Sequence, residues 1–171
     1  MVSDHKRRYG DVRTLPDKVT IQINDTHPSL AIPELMRILL DEERLGWDEA
    51  YAIVSRVFNY TNHTVMQEAL ETWPESLFKS LLPRIHTIVR AINDRLSGTL
   101  WERYPGDWDR ISHMAIIAYD EIRMANLCVA VCHRVNGVSQ LHGDILKTQT
   151  FRDFYVITPE KFTAITNGIT Q

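Results

Sequence analysis

Two short apolar runs, each ending in a polar cluster and each handing over to a helix-forming stretch, constrain this chain more than any other feature. The first lies in VTIQINDTHPSLAIPELMRILL; the second ends in YTNHTV, with His63 placed 38 positions after Asp25. Alternation in Val19-Thr20-Ile21-Gln22-Ile23 and the β-branched and aromatic content of Val57-Phe58-Asn59-Tyr60-Thr61 read as strands. Ligands of open α/β sheets gather outside the carboxyl ends of the strands, where polar groups are not consumed by the ladder. If the two strands are neighbours, Asn24-Asp25-Thr26-His27 and Thr61-Asn62-His63-Thr64 therefore form one site.

The intervening residues suit a parallel crossover. Pro28 and Pro33 are tolerated in the first turns of a helix, Leu35, Ile38, Leu39 and Leu45 keep one apolar face, and Gly46 is the expected stop. Asp48 is the expected N-cap of a helix over 49–56. Downstream the pattern turns helical: residues 66–71, then 74–93 with Pro83 kinking or interrupting it. A surface connection over 101–108 follows, then a helix capped by Asp107 or Asp109 through about Ala118, and another from Asp120 to about Cys132. Val135 to Val138 is a turn or short strand, 140–148 a helix, and the tail from Phe151 irregular or extended. The first fourteen residues are charged and lack periodicity, reading as a loose end or a piece of helix.

A length of 171 residues allows one ordinary domain with a real core, and a net charge of −3 with interspersed signs offers no field for nucleic acid. No apolar stretch approaches the roughly 20 residues that span a bilayer, and no signal peptide is apparent, so a cytoplasmic location without membrane contact is expected. Cys128 and Cys132, four apart on a helical pattern, read as buried free thiols.

The runs NDTHPSLAIPELMRILLDEERLGW, YTNHTVMQEALETWP, LLPRIHTIVRAIN, RMANLCVAVCHRVNGVSQLHGDILK, FRDFYVITPEKF and TNGIT together resemble the glycogen (α-glucan) phosphorylases of bacterial type, from Leu15 to Thr170. The resemblance covers only the end of that family's N-terminal domain and the start of its C-terminal domain. It implies a fragment: residues 1–14 a loose or truncated segment, 15–165 the last part of the N-terminal domain, 166–171 the beginning of the next. The implied fold is helix-rich α/β with a few parallel strands, part of the GT-B arrangement of two Rossmann-like domains. The implied reaction is phosphorolysis of α-1,4-glucan by orthophosphate, giving α-D-glucose 1-phosphate with retention. Pyridoxal 5'-phosphate is the implied cofactor, acting through its phosphate as a proton relay, on a lysine outside this chain. The whole enzyme would be a homodimer, and this chain alone is expected to be inactive.

The resemblance also assigns residues. His63 matches the histidine that binds the primary hydroxyl of the transferred glucosyl unit and turns its backbone carbonyl toward the developing positive charge. Asn167 matches the asparagine that reaches the same hydroxyl from across the cleft. Asp25 and His27 match residues lining the adjoining pocket where the acceptor chain approaches, and Glu68 and Glu71 lie along that channel. The residues themselves also admit plainer readings: His63, Asp25 and Thr26 as helix caps, Glu68 and Glu71 as a solvated helix face, and Asn167-Gly168 as a turn. Val131-Cys132 stands where relatives commonly carry Gly-Ser before His133, and a zinc site on His133 and His142 lacks a third ligand at metal spacing. Two other functions stay open on the residues: a non-catalytic glucan-binding or interaction module, and a metal-dependent hydrolase built on Asp25, His27, His63 and Glu68.

Overall fold

The computed structural model describes residues 1–168. Helix α1 (Val2–Tyr9) and a 3₁₀ turn over Val12–Asp17 open the chain, so the first residues form the helix alternative. They are anchored by the buried Val2, His5, Val12 and Leu15. Strand β1 is Ile21–Asn24, two residues later than the alternation suggested. Helix α2 (Ala31–Arg37) carries Pro33 in its first turns and ends in a π-helical turn over Ile38–Glu42. The chain leaves it at Arg44, which has φ 57°, so the stop is Arg44 and not Gly46. Gly46 instead precedes α3 (Trp47–Val57), which places Asp48 inside the first turn, where its charge still meets the helix dipole favourably.

Strand β2 is Phe58–Thr61 and pairs in parallel with β1, Ile21 opposite Phe58 and Asn24 opposite Thr61. The two polar clusters therefore leave adjacent strands at the same end of the sheet. Side chains alternate across a strand, which explains why Ile23, Phe58 and Tyr60 are buried while Gln22 and Asn24 face outward.

The region between β2 and the next strand of this sheet departs most from expectation. Residues 66–71 are not a helix: only a 3₁₀ turn forms over Gln67–Ala69, and the chain then enters β3 (Thr72–Pro74). Helix α4 (Glu75–Leu81) breaks at Leu82, whose φ −132° and ψ 61° accommodate the proline that follows, and Pro83 starts α5 (Pro83–Arg103). Helix α5 runs ten residues beyond the expected end. Asp107 caps α6 (Trp108–Met114) by accepting the Arg110 N–H. The segment expected to be helical from Asp120 is first a hairpin, β4 (Ile117–Ala118) and β5 (Glu121–Arg123). Its two turn residues, Tyr119 (φ 54°) and Asp120 (φ 60°), are both left-handed, as a type I′ turn requires. Strand β5 also pairs with β3, closing a small antiparallel sheet in the order β3-β5-β4.

Helix α7 (Met124–Val131) then leads into β6 (Val135–Gly137), and α8 (Gln140–Ile145) continues as a π-helical turn over Leu146–Thr150. The tail is ordered as α9 (Arg152–Ile157), a 3₁₀ turn over Pro159–Lys161 and β7 (Phe162–Ala164). The main sheet has the order β1-β2-β6-β7 with every pairing parallel. Its apolar face is covered by Met36, Leu39, Val54, Val57, Leu127 and Cys128, which makes the molecule a helix-rich α/β structure.

Candidate active site

The site is assembled at the carboxyl ends of the parallel strands. Asp25 adopts φ 58°, a left-handed conformation that turns the chain out of β1 at once; a short polar side chain tolerates it. Its N–H still donates to the Thr61 carbonyl at 2.8 Å, so the ladder holds the turn on one side. Its carboxylate accepts the Thr26 N–H, also at 2.8 Å. Thr26 is buried and its hydroxyl donates to Glu71, whose other carboxylate oxygen accepts the Trp73 indole N–H at 2.9 Å. Glu71 is thus not one of a pair on a helix face. It stands just before β3 and ties the small sheet to the end of β1.

His63 is exposed, with Nε2 2.5 Å from Oδ1 of Asn24. An amide oxygen only accepts, so Nε2 is the donor of this bond, and in the neutral ring Nδ1 presents a lone pair. The residue before it, Asn62, is fully buried: its amide donates to the Tyr60 hydroxyl at 2.9 Å, and its Oδ1 accepts the Thr64 N–H at 2.9 Å. The Asn62 N–H donates to Asn136 on the neighbouring strand at 2.9 Å. Burial raises the Tyr60 phenol far above its usual range, with the nearby Cys128 adding to the effect, so the hydroxyl stays neutral and accepts the amide.

Glu68 is exposed within the 3₁₀ turn and, with Glu71, Gln67, His113, Arg123 and Asp153, lines a cavity of about 380 Å³ beside this rim. Asp25, His27, His63 and Asn167 do not line it. His27 is exposed at the head of the loop toward α2. Asn167 is exposed beyond β7, whose pairing extends to Ile165 donating to Gly137 at 3.0 Å. Because all four strands run parallel, Asn167 leaves the sheet at the same end as His63. Their strands are two places apart, which at ~4.8 Å per spacing is about 10 Å. The structure therefore gathers Asp25, His63 and Glu71 through their partners, places Glu68 in the adjoining cavity, and sets His27 and Asn167 on the same rim without direct contact. From sequence, Thr26 reads only as a helix cap and Asn24 only as a member of the polar cluster; their pairing with Glu71 and His63 is a finding of the structure.

Elsewhere, Cys128 and Cys132 are buried free thiols. Burial pushes Cys132 up to about 12, against a smaller opposing pull from Lys161, so both thiols stay protonated and unreactive. Among the described residues no group of three or more His, Cys, Asp and Glu side chains is placed to hold a metal ion. None of the described helices is long and apolar enough to cross a membrane.

The chain is thus of the helix-rich α/β class, with amides, imidazoles and carboxylates gathered at the carboxyl ends of a parallel sheet, where open α/β sheets commonly place their sites. Residues 1–171 match the family described as carbohydrate phosphorylase, and the chain belongs to that family. It is 50% identical over 169 residues to the glycogen phosphorylase of Bacillus subtilis (strain 168), covering 99% of this chain and 21% of that protein. It is 53% identical over 158 residues to human muscle glycogen phosphorylase, covering 91% of this chain and 19% of that one. Identity to the rat brain form is 52% over 160 residues, covering 92% and 19%. The chain thus spans about a fifth of the length of the curated relatives it matches.

Proposed function

We propose that this chain carries one wall of the glucosyl site of a glycogen (α-glucan) phosphorylase that cleaves α-1,4-glucan with orthophosphate to α-D-glucose 1-phosphate. The observation that carries the reading is the adjacency of the β1 and β2 ends, where Asn24 fixes the ring of His63. With Nε2 held, Nδ1 is left to accept a hydrogen bond from a sugar hydroxyl, and the exposed ring can reach one. The His63 backbone carbonyl is an oriented dipole which, aimed at the anomeric carbon, favours an oxocarbenium-like state over the ground state. Asn167 contributes from the opposite side of the rim, two strands away. Asp25 and His27 line the approach of the acceptor chain, and Glu68 and Glu71 lie on the cavity wall next to it.

In this reading, residues 15–165 are the end of an N-terminal domain of a GT-B fold, residues 1–14 its truncated lead-in and 166–171 the start of the second domain. Ile169 to Gln171 lie outside the described residues. The full enzyme is a cytoplasmic homodimer and uses pyridoxal phosphate. The residues described here do not fit that cofactor. The half-buried Lys161 donates to the Val129 and Ala130 carbonyls at 3.3 and 2.9 Å, and the sequence has no Gly-rich phosphate loop. No step proposed here runs through it, and this chain alone is inactive.

The test is a phosphorolysis assay on this chain mixed with a separately expressed C-terminal half carrying the cofactor lysine. Glucose 1-phosphate should form in the mixture, in neither half alone, and at a rate about a hundredfold lower or less with His63→Ala. A folded, associated mixture that makes no product would overturn the reading in favour of a non-catalytic glucan-binding module.

A further inference from the structure

We propose that His142 is a positioning residue for His63: from α8 it holds, through the Thr64 carbonyl, the turn on which His63 stands. The geometric claim rests on hydrogen bonds alone; its consequence for catalysis rests on the sugar-site reading of His63.

His142 is buried, with both ring nitrogens bonded to backbone groups. Nδ1 accepts the Val138 N–H at 3.2 Å, so the proton is on Nε2, which donates to the Thr64 carbonyl at 3.2 Å, 78 positions away in sequence. The helix that carries it is fixed in turn. Ser139 caps α8 by accepting the His142 N–H at 3.1 Å. Gly137 at the end of β6 lies so close to the helix that a Cβ there would sit 2.8 Å from the Gly143 nitrogen.

On the other side of the turn, Asn62 Oδ1 binds the Thr64 N–H. That N–H and the His63 carbonyl belong to one planar trans peptide, so fixing the direction of the first fixes the direction of the second. His142 fixes the next peptide through the Thr64 carbonyl. Beyond it, Val65 and Met66 are more than half exposed. The His142 bond is therefore the last tie of the His63 turn to the sheet end, after those of Asn62 to Asn136 and His63 to Asn24, before the chain runs into solvent. Fixed dipoles of this kind stabilise developing charge because they need no reorganisation when it appears.

The first arm of the test uses this chain. Nitrogen-15 shifts of the His142 ring should report the Nε2–H tautomer, and His142→Leu should speed hydrogen exchange of the Thr64 amide about tenfold or more, leaving Ile23 and Tyr60 amides unchanged. His142→Gln, whose longer amide can donate to Thr64, should restore most of the protection. His142→Asn, which can accept only from Val138, should not, and this pair decides the matter if the leucine variant fails to fold. An Nδ1–H tautomer, or equal Thr64 protection in the Gln and Asn variants, overturns the proposal.

The second arm is phosphorolysis by the mixture with the C-terminal half. His142→Asn should lower kcat about tenfold or more with the glucan KM within threefold, and His142→Gln should recover kcat. A loss confined to KM overturns the positioning role. If the wild-type mixture makes no glucose 1-phosphate, the sugar-site reading fails and the exchange arm alone decides where His142 acts.

Discussion

Thr26 shows how a single hydroxyl sets the site. It is buried at the end of β1 and donates to a half-buried carboxylate whose other oxygen is held by an indole. A hydrogen bond to a charged group contributes about 1.5–3 kcal/mol when its partners stay paired. Thr26→Val should therefore lower unfolding stability by about 1–2 kcal/mol in urea titration, and Thr26→Ser should recover most of it. A valine variant as stable as the parent would mean that the Thr26–Glu71 bond does not anchor the rim. The buried thiols make a second prediction at this scale. Burial holds the folded pKa of Cys128 and Cys132 above the ordinary 9.0, so their contribution to stability is complete below pH 9 and is lost as pH rises toward the folded values. Tyr51 and Tyr60 are shifted the same way, chiefly by burial. Lys161, lowered by burial from 10.5, acts in the opposite sense, but it is one group against four. Denaturant midpoints should fall as pH rises from 9 to 11, with Cys132 accounting for on the order of 2 kcal/mol at the upper end. Cys132→Ala should flatten that slope; an unchanged slope would mean that the thiol is not protonated by burial.

At the scale of elements, what could be read from the sequence and what could not divide along physical lines. The period-two alternation of Ile21 to Ile23 and the β-branched and aromatic run to Thr61 were legible because strand burial on one face writes itself into side-chain chemistry. The polar ends of those strands were legible as the points where the apolar pattern stops, and Asp25, His27 and His63 came with them, whereas Glu68, Glu71 and Asn167 rested on the family resemblance. The hairpin at Tyr119-Asp120 was not, because its left-handed turn uses neither Asn-Gly nor Asp-Gly and the flanking strands are very short. Glu68 and Glu71 showed a helical spacing that the tertiary ties of Glu71 to Thr26 and Trp73 override. The contact of α8 with β6 was equally hidden, since it depends on two glycines six residues apart meeting in space. That contact predicts an asymmetry between glycines. Gly137→Ala would drive a Cβ into the backbone of Gly143 and His142, and should cost about 2–3 kcal/mol. Gly98, inside α5 with nothing near the position of an added Cβ, should gain about 0.5–1 kcal/mol as alanine through helix propensity. Thermal melts of the two variants on opposite sides of the parent would support the close approach; both falling on the same side would refute it.

The whole molecule presents its polar site inside an apolar border. Leu30 follows β1, Val65 and Met66 follow β2, Leu141 lies in α8 after β6, and Ile165 follows β7; all are exposed. All therefore leave the sheet at the end where Asp25, His63 and Asn167 lie. Isolated exposed hydrophobic residues are ordinary on any protein surface, but several leaving the sheet at one end form a surface that water contacts at a cost. Strands β1 and β7 end the main sheet at either side, and an edge strand offers unpaired N–H and carbonyl groups to another chain. Both features leave apolar and hydrogen-bonding surface that the proposed second domain would cover. They also mean that the 171-residue chain alone should self-associate. Sedimentation velocity should show its average mass rising with concentration through the micromolar range. A triple change of Val65, Met66 and Leu141 to serine should shift that rise to higher concentration while leaving the melting temperature within a few degrees, because these side chains contribute little to the core. If only the rim drives association, the triple variant should be monomeric throughout. Association that persists unchanged would assign it to the sheet edges instead. A parent chain that remains monomeric with a sharp cooperative melt would show that the border is tolerated in water and that nothing need close over it.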